Sequence, residues 1–266
     1  MEFGSEEHKN LFCRFFLDTH REFRPEDLPW PELSQATVNK LAELPIWDYA
    51  VHTETQVHRK LSAYAEIEPD PLIREALSLQ AEEERRHADL LRYFLNHYGI
   101  AFSELPHDPL PRDLEQGFRR TGAGECIDSF FAFGFIALSK TSADYPLELI
   151  EVMEPIVQEE ARHILFIQNW FLYRRGQRPF LLRPLHSFEV LLAFASASYA
   201  RLRDLSNLGG QAMTLQAREH ENSSLSARQF IHLCLRENRR RMRGYDRRLA
   251  RPRLVPRLAG LMGFFL

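Results

Sequence analysis

The chain has 266 residues, enough for one large domain or a domain with an appendage, and its 44% hydrophobic and 27% charged content is ordinary for a globular protein. Cys13, Cys126 and Cys234 are far apart, odd in number and form no CxxC, which excludes a disulfide scaffold or thiolate metal site and points to a reduced, cytoplasmic setting. The net charge of −3 hides an asymmetry: Arg236 to Leu258 holds ten arginines against Glu237 and Asp246, a local +8, so the remainder carries about −11.

No basic stretch followed by an apolar run opens the chain, and no uninterrupted apolar run reaches membrane-spanning length. Pro25, Pro29, Pro31 and Pro45 break up residues 1–45, an N-terminal extension in which Leu11 to Phe16 can still form a helix across the body. From Ile46 the apolar positions recur at three and four (Trp47, Ala50, Val51, Val57, Leu61, Tyr64), which predicts a first long helix. Pro69-Asp70-Pro71 ends it and opens a second, with Asp70 as N-cap, running to about Tyr98-Gly99. Pro106, Pro109 and Pro111 mark a long crossover. A third helix spans about Arg112 to Lys140, loosened by Gly117, Gly122 and Gly124, and its nearly continuous apolar half predicts a central position. A turn at Thr141 to Pro146 leads to a fourth helix, about Leu147 to Arg174. Two more helices follow, Leu185 to Leu205 and Ser226 to Tyr245, before a tail through Pro252 and Pro256 to an apolar end. No strand-like alternation occurs. The expectation is an all-α chain: a four-helix bundle over 46–175, with the helices and arginine-rich tail of 176–266 packed on it.

Inside these stripes one arrangement of charge occurs twice, Glu83-Glu84-Arg85-Arg86-His87 and Glu159-Glu160-Ala161-Arg162-His163. Glu84/His87 and Glu160/His163 each lie three apart, on one face of a helix about one turn apart, where both side chains can grip one ion. In an antiparallel hairpin, residues equidistant from the turn come level. Glu54 and Glu84 average to position 69, in the first turn, and Glu125 and Glu160 to 142.5, in the second. Asp128 with Glu160 averages to 144, so it competes with Glu125 as the third helix's carboxylate or sits beside it. Two packed hairpins then bring four carboxylates and two imidazoles to one layer. Such oxygen and nitrogen donors suit iron or manganese, and four carboxylates leave a dinuclear M²⁺ pair near neutral. His58, one turn after Glu54, reads as an ordinary bundle histidine.

This ligand pattern resembles the ferritin-like dimetal-carboxylate proteins, in which two helices give one Glu each and two give Glu-x-x-His. The resemblance covers residues 46–174. It implies Glu54, Glu84, His87, Glu125, Glu160 and His163 as metal ligands. It also implies that Glu83 and Glu159, the acids just before the ligand glutamates, hold the histidine of the opposite hairpin, and that Ser129 lies near an O₂ pocket. A rubrerythrin-like CxxC module is absent. A storage ferritin would be much shorter, and ribonucleotide reductase would carry a tyrosine where Leu91 stands. What remains is the oxidase and oxygenase branch: two irons (Fe/Fe first, Mn/Fe second), O₂ as co-substrate, a small organic substrate and an external electron donor. The alternatives are a non-catalytic or ferroxidase-type iron-binding protein and a hydroxylase of carrier-bound or tRNA-bound substrates. The arginine-rich segment has three readings: docking on the acidic body or on a second subunit as a homodimer, recruitment of an acidic protein partner, or contact with RNA or an anionic membrane. Neither a nucleic-acid nor a membrane signal stands out.

Overall fold

A computed structural model describes residues 1–141, 145–207 and 225–265. Among these the chain is helical, with no strand. The helices are α1 Glu6–Asp18, α2 Gln35–Ala42, α3 Trp47–Ile67, α4 Pro71–His97, α5 Leu114–Ser139, α6 Leu147–Gln177, α7 Arg183–Asn207, α8 Ala227–Arg243 and α9 Leu254–Phe265. Part of the turn expected at Thr141 to Pro146 (residues 142–144) lies outside the described residues, as does 208–224.

Local chemistry fixes the helix starts. The Asp70 carboxylate accepts from the Leu72 and Ile73 amides at 3.0 and 3.1 Å, and Pro71 occupies the first turn, where a missing N–H costs nothing. Asp113 caps α5 through the Gln116 amide, and Ser226 opens α8 with a reciprocal capping box to Gln229. α3 and α4 form one antiparallel hairpin, in which His58 Nδ1 bonds the Ala81 carbonyl at 2.7 Å and Arg92 donates to Thr55 Oγ1 at 3.0 Å. α5 and α6 form the second, joined by Ser129 to Glu160 and by Arg174 to Glu115. The hairpins meet through α3 against α5 and α4 against α6.

α5 is central, touching α3, α6, α7, α8 and α9. Its glycines do not loosen it, and it runs unbroken over 26 residues. They let neighbours close in: a Cβ on Gly134 would stand 2.2 Å from Cys234 Sγ of α8. The principal core lies between the hairpins, with Leu61, Ile73, Phe133 and Trp170 fully buried.

Three elements differ from the sequence reading. α1 is longer than Leu11 to Phe16 and is part of the core: it packs on α6 and α4 and buries Phe12, Cys13 and Phe16. α2 forms within the proline-rich stretch and helps seal a second cluster around Phe94 and Leu95. The tail is helix α9, because Pro256 falls in its first turn. The arginine-rich segment divides. Arg241 is buried, donating to Glu154 at 2.8 Å with its guanidinium over the Phe133 ring, whereas Arg236, Arg239, Arg243, Arg253 and Arg257 are exposed.

Two stretches, Leu114–Ser139 and Phe180–Arg203, are long and apolar enough to cross a membrane by length and composition. Charges interrupt each of them, so neither reads as an uninterrupted apolar run. The first is the buried centre of the molecule. The second is mostly exposed.

Candidate metal centre

Midway along the hairpins, α4 and α6 face each other with the two charged motifs at the same level. One donor atom from each of Glu84, His87, Glu160 and His163 lies within 4.8 Å of the others, and the two imidazole ring centres are 5.5 Å apart. His163 Nδ1 is 3.0 Å from Glu84 Oε1, and His87 Nδ1 is 3.2 Å from Glu160 Oε1. Glu54 of α3 reaches the cluster from the side, 3.6 Å from His87 Nδ1. Glu125 of α5 is buried, and the charges of Glu84, Glu160 and Glu54 bear on it, but it stands outside the mutual 4.8 Å group.

The outer ring nitrogens show what the inner ones are for. Glu159 of α6 accepts from His87 Nε2 of α4 at 2.9 Å, and Glu83 of α4 accepts from His163 Nε2 of α6 at 2.8 Å. A carboxylate only accepts, so each Nε2 carries the proton, and in the neutral ring Nδ1 presents a lone pair. Both Nδ1 atoms are buried with no hydrogen-bond partner, as is Glu84 Oε2. Lone pairs facing carboxylate oxygens in a dry interior are tolerated only with a positive charge between them. That charge is either protons or a metal ion.

The arrangement is crossed. Each histidine is aimed by an acid from the opposite hairpin, and each acid is itself neutralised by an arginine of the histidine's own hairpin: Arg162 donates to Glu83 at 2.8 Å and Arg86 to Glu159 at 2.5 Å. All four of these side chains are buried, so Arg86 and Arg162 are not solvated edge residues. With the outer acids matched by arginines, Glu54, Glu84, Glu125 and Glu160 leave four negative charges inside, the complement of two divalent cations.

The titration properties follow from this crowding. Burial pushes the Glu54 carboxyl up to about 8, with Glu84 and Glu160 adding to the rise and His87 opposing it. Glu125 is raised well above the carboxylate range by burial and then by Glu84 and Glu160. Burial disfavours charge on His87 and His163, yet the surrounding carboxylates lift both well above the ordinary imidazole value. Burial also works against charge on Glu83, but His163 and Arg162 outweigh it and hold the group far below its usual range. In the metal-free state, protons occupy the space that a cation would claim.

The remaining sequence-derived residues are placed as follows. Ser129 Oγ donates to Glu160 Oε2 at 2.9 Å, so it orients the carboxylate of a candidate ligand. Asp128 does not join the cluster, nor does it hold a histidine. Both its oxygens are taken by Arg201 of α7, with Nε at 2.6 Å, because position 128 is turned off the ligand face toward α7. That guanidinium lies over Gly124, where a Cβ would stand 2.7 Å from it.

The end of α1 and the two residues after it contribute groups that no motif announced. His20 Nδ1 bonds Glu83 Oε1 at 2.6 Å, and Arg162 donates to Thr19 Oγ1 at 3.0 Å and to the Phe16 carbonyl at 2.5 Å. These partners lie well over a hundred residues from Arg162, and only the fold brings them there. Gln80, whose amide is 3.5 Å from Glu84 Oε1, was legible as a polar residue in the apolar stripe one turn before the ligand.

Compared with family models, curated proteins and solved structures, the chain matches none of them.

Proposed function

We propose that this chain is a ferritin-like dimetal-carboxylate oxidoreductase that holds two iron ions in a helical bundle and uses O₂ to oxidise a small organic substrate, drawing electrons from an external donor. The observation that carries this reading is the pair of unpartnered, inward-facing Nδ1 atoms, each fixed by a carboxylate on its outer nitrogen and surrounded by buried carboxylates. A purely structural cluster would spend its hydrogen bonds on itself. This one leaves donor atoms turned toward a common centre.

Glu54, Glu84, His87, Glu125, Glu160 and His163 would hold the ions, and bound iron would supply the activation of O₂. The protein's own part is positional. Ser129 restrains one oxygen of Glu160, while Glu83 and Glu159 keep both imidazoles in the tautomer that ligates. The buried apolar residues around the cluster, such as Phe16, Leu90 and Ile164, exclude water from the oxidant. Oxygen and nitrogen ligands without thiolate favour iron over a structural zinc.

The test is anaerobic titration of metal-free protein with Fe²⁺, followed by O₂. The expected result is an end point of two irons per chain, then O₂ consumption with a transient visible absorption. A chemical reductant should sustain turnover, whereas an iron-handling protein would oxidise its metal once and stop. A protein that takes up no iron would overturn the reading.

A further inference from the structure

α7 has two unlike faces. Ala193, Phe194 and Ala197 are buried, His186 bonds the Phe171 carbonyl at 3.0 Å, and Arg201 clasps Asp128, so this side is committed to α5 and α6. The opposite side is apolar and open: Leu185, Phe188, Leu192, Tyr199 and Leu202 are 49%, 55%, 52%, 68% and 64% exposed. Among the described residues from Leu181 to Leu202, no exposed position is charged. Soluble chains rarely leave so much contiguous apolar surface uncovered.

The spacing of that face specifies its partner. Leu185, Phe188, Leu192, Ala195, Tyr199 and Leu202 follow one another at steps of three, four, three, four and three, and Leu181, in the short 3-10 turn Phe180–Leu182 that leads into α7, lies four residues before them. This is the 3.5-residue period of a seam that packs against another helix. A helix lying on a lipid surface would border its apolar face along its length with exposed lysines or arginines, whereas here the one exposed charge beside it is Arg203 at its end. Scaled by their exposures, Leu181, Leu185, Phe188, Leu191, Leu192, Tyr199 and Leu202 present roughly 750 Å², at the ~150–250 Å² typical of an aromatic residue and less for leucine. That is close to the ~800 Å² per partner of a standard interface.

We propose that two copies of the chain pair along α7, antiparallel, about a two-fold axis beside Leu192. The antiparallel sense comes from side-chain volume. Running the seam against its own reverse sets Leu181 opposite Leu202, Leu185 opposite Tyr199, Phe188 opposite Ala195, and Leu192 opposite its own copy. A large ring, Phe188, then meets the smallest residue, Ala195. A parallel pair would set Phe188 against Phe188 and leave a void between two alanines. The interface is independent of the metal chemistry. It nevertheless abuts the site, because the same helix carries Arg201, which holds Asp128 three residues from Glu125.

The experiment uses the full chain. Sedimentation from 1 to 50 µM (roughly the range of a standard interface) should show a dimer. Leu192→Glu should weaken it at least ~100-fold by burying two like charges, with helicity and metal uptake unchanged because Leu192 is surface-exposed in the single chain. Under oxidation, Leu192→Cys should cross-link to itself. Mixed Phe188→Cys and Ala195→Cys proteins should cross-link to each other, while each alone does not. The native cysteines are buried and give little background. A monomer across the range would overturn the proposal, as would binding of a monomer to vesicles through this face. Self-linking of Phe188→Cys would overturn the antiparallel sense.

Discussion

The crossed pairs fix what single substitutions should do. Glu83→Gln or Glu159→Gln keeps the shape but allows the amide to present N–H where the imidazole needs an acceptor. Each should lower Fe²⁺ affinity by about 10–100-fold, read by anaerobic titration, since each removes the acceptor of one imidazole. The acids inside the ring carry the pH dependence. Glu54 has a folded pKa of about 8, above its unfolded value, so its contribution to the stability of the metal-free protein is full below about pH 4.5 and is lost as pH rises through 8. Glu83 and Glu160 have depressed values, so theirs is present above about pH 4.5 and lost in acid. Metal-free protein should therefore lose thermal stability between pH 5.5 and 8, and Glu54→Gln should flatten that slope in a melting series.

At the scale of elements, α1 and α5 make the sharpest claims. Phe16 is fully buried against His163 and Phe166 and carries the guanidinium of Arg162 over its ring. Phe16→Ala should cost about 3–5 kcal/mol in denaturant unfolding, a penalty no dispensable extension would show. Gly134→Ala should cost about 1–3 kcal/mol by forcing α8 off α5, and Cys234→Ala should recover part of it by removing the clashing sulfur. Long helices were legible because their apolar residues repeat at 3.6 over many turns and their starts carry caps such as Asp70. The Glu-x-x-His pairs were legible because charge inside such a stripe demands an explanation. What periodicity could not reveal was contact between distant segments. The link from His20 to Glu83 and the diversion of Asp128 to Arg201 arise from packing. α2 was hidden among prolines that flank it without entering it, and α9 by Pro256, which signals interruption in a sequence yet is tolerated in a helix's first turn.

For the whole molecule, the proposed function makes ion binding and folding share one set of residues. Metal at 100 times its dissociation constant adds about 2.7 kcal/mol, which for a chain of this size corresponds to a rise in Tm of roughly 5–10 °C. Calorimetry with and without Fe²⁺ under anaerobic conditions checks it, and Glu84→Ala should abolish the increment. The crossing of the two motifs has one more consequence. Because each hairpin points the imidazole of the other, neither half owns a usable grip on its own, and split fragments should be blind to iron until recombined. On the proposed function, loading would then serve as proof of correct assembly: a misfolded or half-made chain would remain colourless and leave no reactive iron loose among its neighbours.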